Sequence, residues 1–182
     1  MNYCSHCGSR VFLRKPDGED RLRHVCDDCG RVHYQNPKII TGCIPRWGNR
    51  VLLCKRAIEP RYGTWTLPAG FMELGETLAA GACRESREEA CTNLMVDGLF
   101  AIFNVPHISQ VHVYFRATLL DECFSAGVES LETQLFDECE IPWDEISFET
   151  VHRCLTLYFE DCRRRDFGIH VHDIVPEGYR QG

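Results

Sequence analysis

Glu85, Glu88 and Glu89 lie within five positions of one another in the stretch GFMELGETLAAGACRESREEACT, residues 70–92. Thr77 to Ala90 reads as a helix, because Leu78, Ala79, Ala82, Cys83, Ser86 and Ala90 recur at helical spacing and are small enough to pack closely on a sheet. On such a helix Glu85 stands one turn before Glu88 and Glu89, so three carboxylates converge on the side opposite the packed one. Like charges at these spacings weaken a helix unless something neutralises them. A hard divalent cation would do so, since Mg²⁺ takes a few carboxylates and completes its shell with substrate phosphates and water. Arg84, four residues before Glu88, would partly offset and orient the cluster. A solvated acidic face is the alternative reading.

A second set of residues favours a softer metal. Cys4-Ser5-His6-Cys7-Gly8 and Cys26-Asp27-Asp28-Cys29-Gly30 are two C-x-x-C-G turns with 18 residues between Cys7 and Cys26. Two thiolates on a tight turn hold two corners of a tetrahedron, and the following glycine lets the backbone fold back under the metal. Cys4, Cys7, Cys26 and Cys29 are therefore expected to bind a structural Zn²⁺, with disulfides as the alternative. His6 is unnecessary as a ligand once both pairs are complete. The other eight of the twelve cysteines are scattered singly and read as small buried apolar residues.

The elements that position these groups follow from pattern. Residues 1–35 read as a ribbon whose hairpin turns at Pro16-Asp17-Gly18. Gln35-Asn36-Pro37-Lys38 is a linker, residues 36–167 are the main domain and 168–182 a C-terminal tail. Ile39–Ile44 and Arg50–Arg56 form a hairpin through Trp47-Gly48-Asn49. Leu94–Val105, Val111–Leu120 and Leu131–Phe136 read as further strands, and Phe148–Phe167 as a helix with Arg163 to Arg165 at its C-terminal end. The tail carries no pattern, and its His170 and His172 read as solvated.

The chain of 182 residues, 44% hydrophobic and 26% charged, has the composition of a folded protein. No apolar run approaches the ~18 residues of a membrane span. The opening MNYCSHCGSR lacks the layout of a signal peptide, so a cytoplasmic protein is expected. A net charge of −7 argues against broad nucleic-acid binding. An anionic substrate must then be met by metal ions or local basic groups.

Residues 70–92 resemble the Nudix box, G-x5-E-x7-R-E-U-x-E-E-x-G-U with U apolar. Gly70, Glu76, Arg84, Glu85, Glu88 and Glu89 fall in register; Ser86 takes the place of an apolar residue and Cys91 that of the glycine. Cysteine adopts the left-handed conformation at a cost, so a different helix exit is expected. The resemblance implies an α/β/α sandwich with a mixed sheet behind the zinc ribbon, and hydrolysis of a diphosphate bond in a nucleotide derivative. It implies Glu85, Glu88, Glu89 and the Gly70 carbonyl as ligands of catalytic Mg²⁺ or Mn²⁺, and a Glu76–Arg84 ion pair that fixes the loop against the helix. The first glutamate of the triplet, or one on a later loop, helps deprotonate the attacking water; Glu129 and Glu132 are candidates for the later one. Members are often homodimers.

Among Nudix proteins with a zinc ribbon, the NADH pyrophosphatases carry an SQPWPFP-like string after the box. Here that region is Asn104-Val105-Pro106-His107-Ile108-Ser109-Gln110. The chain is more similar to the group of the plant chloroplast FAD pyrophosphatase and its bacterial relatives, through the cysteine pairs, VHYQNPK, IEPRYGTWTLPAGFMELGET, VPHISQVHVYFRA, ESLE and EIPW. Pro106, 15 residues beyond Cys91, matches the proline of ADP-ribose hydrolysing members. FAD to FMN and AMP is the first expectation, ADP-ribose to AMP and ribose 5-phosphate the second, and NADH an alternative. Trp65 and Tyr62 are candidates to stack on a ring, Arg46 and Arg61 to reach a diphosphate, and His107 and Gln110 to bond a base edge. The rival from another class is a non-catalytic nucleotide- or RNA-binding regulator. Residues 1–33, with six Lys/Arg against five Asp/Glu, are too balanced in charge for a strong nucleic-acid footprint. Removal of an mRNA cap would call for a more basic surface.

Overall fold

The computed structural model describes residues 1–179. Two compact units divide after Pro37. The first holds β1 (Val11–Arg14), β2 (Arg23–Cys26) and β3 (Val32–His33) as an antiparallel sheet in that order. Its hairpin turns where expected, with Glu19 N donating to Pro16 O at 3.1 Å and Gly18 at φ +83°. Its one cluster of buried apolar residues is Cys4, Val11 and Cys26, too little to hold about 37 residues without a staple.

The second unit runs β4 (Lys38–Trp47), β5 (Arg50–Arg56), β6 (Trp65–Thr66), β7 (Ala69–Phe71), α1 (Leu78–Ala90), β8 (Leu94–Val105), β9 (Gln110–Leu119), β10 (Ser130–Phe136), α2 (Glu149–Arg164) and β11 (His170–Asp173). The sheet order is β10-β5-β4-β9-β8-β11, with β6 paired to β5 and β7 to β4. β4 with β9 and β8 with β11 are parallel and the other pairings antiparallel, so the sheet is mixed. Alternation along β4 separates two layers. Cys43 packs with Ala82, Val113 and Phe115 under α1, whereas Ile44 packs with Phe100, Phe103 and Tyr114 under Val151, Cys154 and Leu155 of α2. The helices therefore cover opposite faces, which is the expected α/β/α sandwich.

Two local features differ from the sequence reading. The tail supplies β11, parallel to Ala101–Asn104 of β8. His170 is not solvated: its Nε2 lies 2.8 Å from the buried Asp161 carboxylate and its ring 5.0 Å from Phe100. Four residues with alternate histidines carry no apolar signal, which is why the strand was invisible. The second difference is the end of α1. Cys91 does adopt the left-handed conformation, φ 51° and ψ 32°, with its N–H donating to Arg87 O. The strain, about 1–2 kcal/mol, is opposed by a loop that bonds the helix end. Ser125 N donates to Ala90 O at 3.0 Å and Gly127 N to Glu89 O at 3.0 Å.

Candidate active site

α1 begins at Thr77, whose hydroxyl accepts from Ala80 N at 3.2 Å. Its packed side is Gly81, Ala82, Glu85, Ser86, Glu89 and Ala90. Two of the three box glutamates thus turn inward, and only Glu88 lies on the exposed side. This corrects the expectation that all three stand opposite the packed side. The reason is glycine. A Cβ at Gly70 would overlap the Glu85 carboxyl, so its absence lets Glu85 fold against β7. Glu89 reaches the same strand and accepts from Ala69 N at 3.2 Å. Ser86, fully buried at an apolar position, is satisfied by Thr92: the hydroxyls are 2.8 Å apart and Thr92 Oγ1 donates to Ser86 O at 3.0 Å.

Arg84 organises the charges. Its Nε and Nη2 grip Glu76 at 3.1 and 2.7 Å, Nη1 reaches Glu85 at 2.7 Å and Glu88 at 3.0 Å, and Nη2 donates to Phe71 O at 3.1 Å. The guanidinium, together with Glu73 N, holds Glu76 down to about 2. Burial raises Glu85, against the pull of Arg84. Burial, reinforced by the Glu85 charge, pushes Glu89 up to about 8. Two buried carboxylates with raised pKa values beside an exposed third form a site that gains from a cation. The donor set is all oxygen and fits a hard divalent ion such as Mg²⁺ or Mn²⁺.

The four cysteines meet a stricter test. Among the described residues they are the one group of three or more His, Cys, Asp or Glu whose donor atoms all lie within 4.8 Å of one another. Cys4 and Cys29 sulfurs are 3.8 Å apart and Cys7 and Cys26 sulfurs 3.4 Å. A Zn–S bond of ~2.3 Å in a tetrahedron requires an S–S edge of about 3.8 Å. All four are free thiols, so the disulfide alternative falls. His33 Nε2 lies 3.2 Å from Cys4 Sγ and supports that sulfur from outside.

The other candidates separate. Glu129 lies near enough for its charge to raise both Glu85 and Glu89, and its carbonyl accepts from Ala57 N at 2.8 Å. Glu132 instead faces Lys55 Nζ at 4.0 Å from an exposed position of β10. Trp65 is buried in the core, edge-on to Phe136 at 4.9 Å with Lys55 Nζ 5.5 Å from its ring, and offers no face to a ligand. Tyr62 and Arg61 are exposed on the β5–β6 loop. Arg46 pairs with Asp97 at 3.4 Å, at the end of β4 away from Gly70. His107 is exposed on a single 3-10 turn, Pro106–Ile108, and Gln110 accepts from buried His112 at 2.9 Å. Two residues escaped the sequence reading. Arg56 lowers Glu89 by its charge while its Nε donates to Pro60 O at 2.9 Å. Phe71, next to Gly70, exposes its ring with Lys38 Nζ 5.0 Å from the centroid. Box membership of Gly70 was the signal for Phe71; none existed for Arg56.

A mixed-sheet sandwich that presents an Arg-bridged glutamate cluster from one helix, preceded in sequence by a four-cysteine ribbon, defines the class of zinc-ribbon Nudix hydrolases. Residues 2–35 match the family model described as Nudix N-terminal and residues 37–157 the NUDIX domain. The chain belongs to the Nudix family. It is similar to the crystal structure of a NUDIX hydrolase from Nitrosomonas europaea, 52% identical with a TM-score of 0.93, covering 96% of this chain and 99% of that one. An ADP-ribose pyrophosphatase of Methanocaldococcus jannaschii is 29% identical over 60% of this chain and 67% of its own length. A NAD-capped RNA hydrolase NudC of Vibrio atlanticus is 37% identical over 49% of this chain, which spans only 31% of that protein. No helix among the described residues is long and apolar enough to cross a membrane.

Proposed function

We propose that this protein hydrolyses the diphosphate of an adenine dinucleotide or nucleotide sugar, FAD to FMN and AMP or ADP-ribose to AMP and ribose 5-phosphate. The observation that carries the reading is the gathering of three carboxylates beside β7, Glu85 and Glu88 bridged by Arg84 and Glu89 bonded to Ala69 N next to Gly70. With the Gly70 carbonyl, these glutamates would hold the Mg²⁺ or Mn²⁺. Bound there, the ions supply neutralisation of the diphosphate oxygens and a water of lowered pKa.

The chain's own groups do the rest. Arg84 spaces Glu85 from Glu88 and ties the β7 loop to α1 through Glu76. Glu129, on the loop that covers the end of α1, is the candidate to take the proton of the attacking water. Arg56 brings a cation to the Glu89 side, where a phosphate oxygen can meet it. Phe71 replaces Trp65 as the stacking surface for a flat ring, worth roughly 1 kcal/mol. The relative named ADP-ribose pyrophosphatase and the subgroup likeness support this substrate class. Free thiols throughout fit a cytoplasmic location, and a homodimer is the assembly we propose.

Product analysis with FAD, ADP-ribose and NADH under Mg²⁺ or Mn²⁺ tests the reading. AMP with FMN or ribose 5-phosphate is expected, lost in Glu88→Gln. NMNH and AMP as the dominant products would favour the NADH alternative. Absence of any cleavage under both metals would favour the non-catalytic regulator.

A further inference from the structure

His112 is buried on β9 and bonded on both ring nitrogens. Its Nδ1 lies 3.2 Å from Thr150 Oγ1, in the first turn of α2, and its Nε2 2.9 Å from Gln110 Oε1. Proton counting sets the direction of this chain of bonds. An amide oxygen can only accept, so His112 Nε2 donates to Gln110 Oε1. A neutral imidazole carries one proton, so Nδ1 is an acceptor and the Thr150 hydroxyl donates to it. Burial, which pushes His112 down to about 4, keeps the ring neutral at pH 7. With its oxygen engaged, the Gln110 side chain is left with its two amide N–H donors facing away from the ring.

Those donors stand at a telling place. Gln110 pairs with Lys38, and Ile40, two residues on, pairs with Phe71. Residues two apart share a face, so Gln110, Lys38, Ile40 and Phe71 share one face of the sheet at its Gly70 end. The Lys38 ammonium lies 5.0 Å from the centre of the exposed Phe71 ring. An ammonium, an outward amide donor and an open ring offer hydrogen to a flat ligand edged with acceptors.

We propose that Thr150 and His112 are positioning residues that lock Gln110 as a hydrogen-bond donor to an acceptor edge of the substrate, a ring carbonyl or ring nitrogen beyond the diphosphate. The proposal rests on the hydrolase reading above. It makes Gln110 a selector for acceptor-bearing rings and gives buried His112 a task without any proton transfer.

The test has one readout independent of turnover. In the full-length protein at pH 7, ¹⁵N resonances of the His112 imidazole should report the Nε2–H tautomer, and Thr150→Val should abolish that preference. An Nδ1–H tautomer in the unsubstituted protein overturns the proposal. In kinetics with FAD and ADP-ribose, Gln110→Glu, which replaces the donors by acceptors, should raise KM about tenfold, equal to 1.4 kcal/mol, with kcat changed less than twofold. Gln110→Leu, uncharged, should raise KM likewise. Thr150→Val should raise KM severalfold with Gln110 present and not in the Gln110→Leu background. Unchanged KM in both Gln110 variants overturns the relay while leaving the hydrolase reading intact. No hydrolysis by the unsubstituted protein overturns the hydrolase reading whatever the tautomer.

Discussion

The ribbon and α1 each gather anionic ligands, but they do so in opposite ways. In the ribbon four sulfurs already lie within 4.8 Å of one another on two tight turns, and backbone N–H groups of His6 and Cys29 point at Cys4 and Cys26. That cluster closes on itself and leaves no position for a reactant. On α1 the carboxylates are spread and unequal: Glu89 is tucked against Ala69, Glu85 against Gly70 and Arg84, and Glu88 is exposed. On the proposed reading, such a set would hold ions only in part and leave their remaining positions to phosphate and water. A closed soft site would then build a fold, whereas an open hard site would do chemistry.

The contrast breaks most visibly at Cys26. Cys26→Ser should lose the zinc and unfold the ribbon, since structural zinc contributes on the order of 10 kcal/mol in small modules. Metal analysis should fall from about one Zn²⁺ per chain to none, and residues 1–37 should become protease-sensitive. A folded ribbon without zinc would contradict the closed-site account. Glu88→Gln should instead cut turnover by roughly 10²–10³-fold. It removes an exposed ion pair with Arg84 worth about 0.3–0.5 kcal/mol, so the urea midpoint should hardly move.

Two glycines sharpen the same point. A Cβ at Gly127 would collide with the Glu88 backbone carbonyl, which cannot yield, so Gly127→Ala should cost about 2–3 kcal/mol or more in urea unfolding. At Gly70 the obstacle is the Glu85 side chain, which can swing away. Gly70→Ala should therefore spare stability and weaken metal-dependent turnover.

pH provides a finer measure. Glu89 is raised by burial from the usual carboxylate range to about 8, so the folded chain keeps a proton that the unfolded chain has lost. With Mg²⁺ withheld, stability should fall as pH rises from about 4.5 to about 8, by on the order of a few kcal/mol, and level off above. Glu89→Gln should flatten the profile, and added Mg²⁺ should reverse it. A flat profile in the unsubstituted protein would show Glu89 to be ordinary. The smallest effect lies at the end of α1. Cys91→Gly relieves a strained φ of 51° and should raise stability by about 1 kcal/mol, some 2–4 °C in Tm, with turnover unchanged.

Much of this was legible because it is periodic or tightly spaced. The cysteine turns, the box register, the Gly48 hairpin and the span of both helices follow from local pattern, and the structure keeps them within three residues. What stayed hidden depends on contacts between distant segments. Burial of Glu85 depends on a strand glycine 15 residues upstream, Gly70, and Glu89 is held by the N–H of Ala69, 20 residues upstream. The left-handed Cys91 is tolerated because Ser125 and Gly127 bond the helix end. Trp65 looks like a ring-stacking residue in the sequence but is claimed by Phe136 and the core. Arg56 reaches Glu89 only once β5 and α1 are folded on one another.

The most direct test of the central claim is Mn²⁺ binding followed by electron paramagnetic resonance, with zinc content measured on the same samples. The unsubstituted protein should bind Mn²⁺ in competition with Mg²⁺ while keeping one Zn²⁺. A variant carrying Glu85→Gln, Glu88→Gln and Glu89→Gln together should lose Mn²⁺ binding and keep its zinc in full. Undiminished Mn²⁺ affinity in that variant would contradict the account, because the divalent ions would then be held elsewhere than on α1.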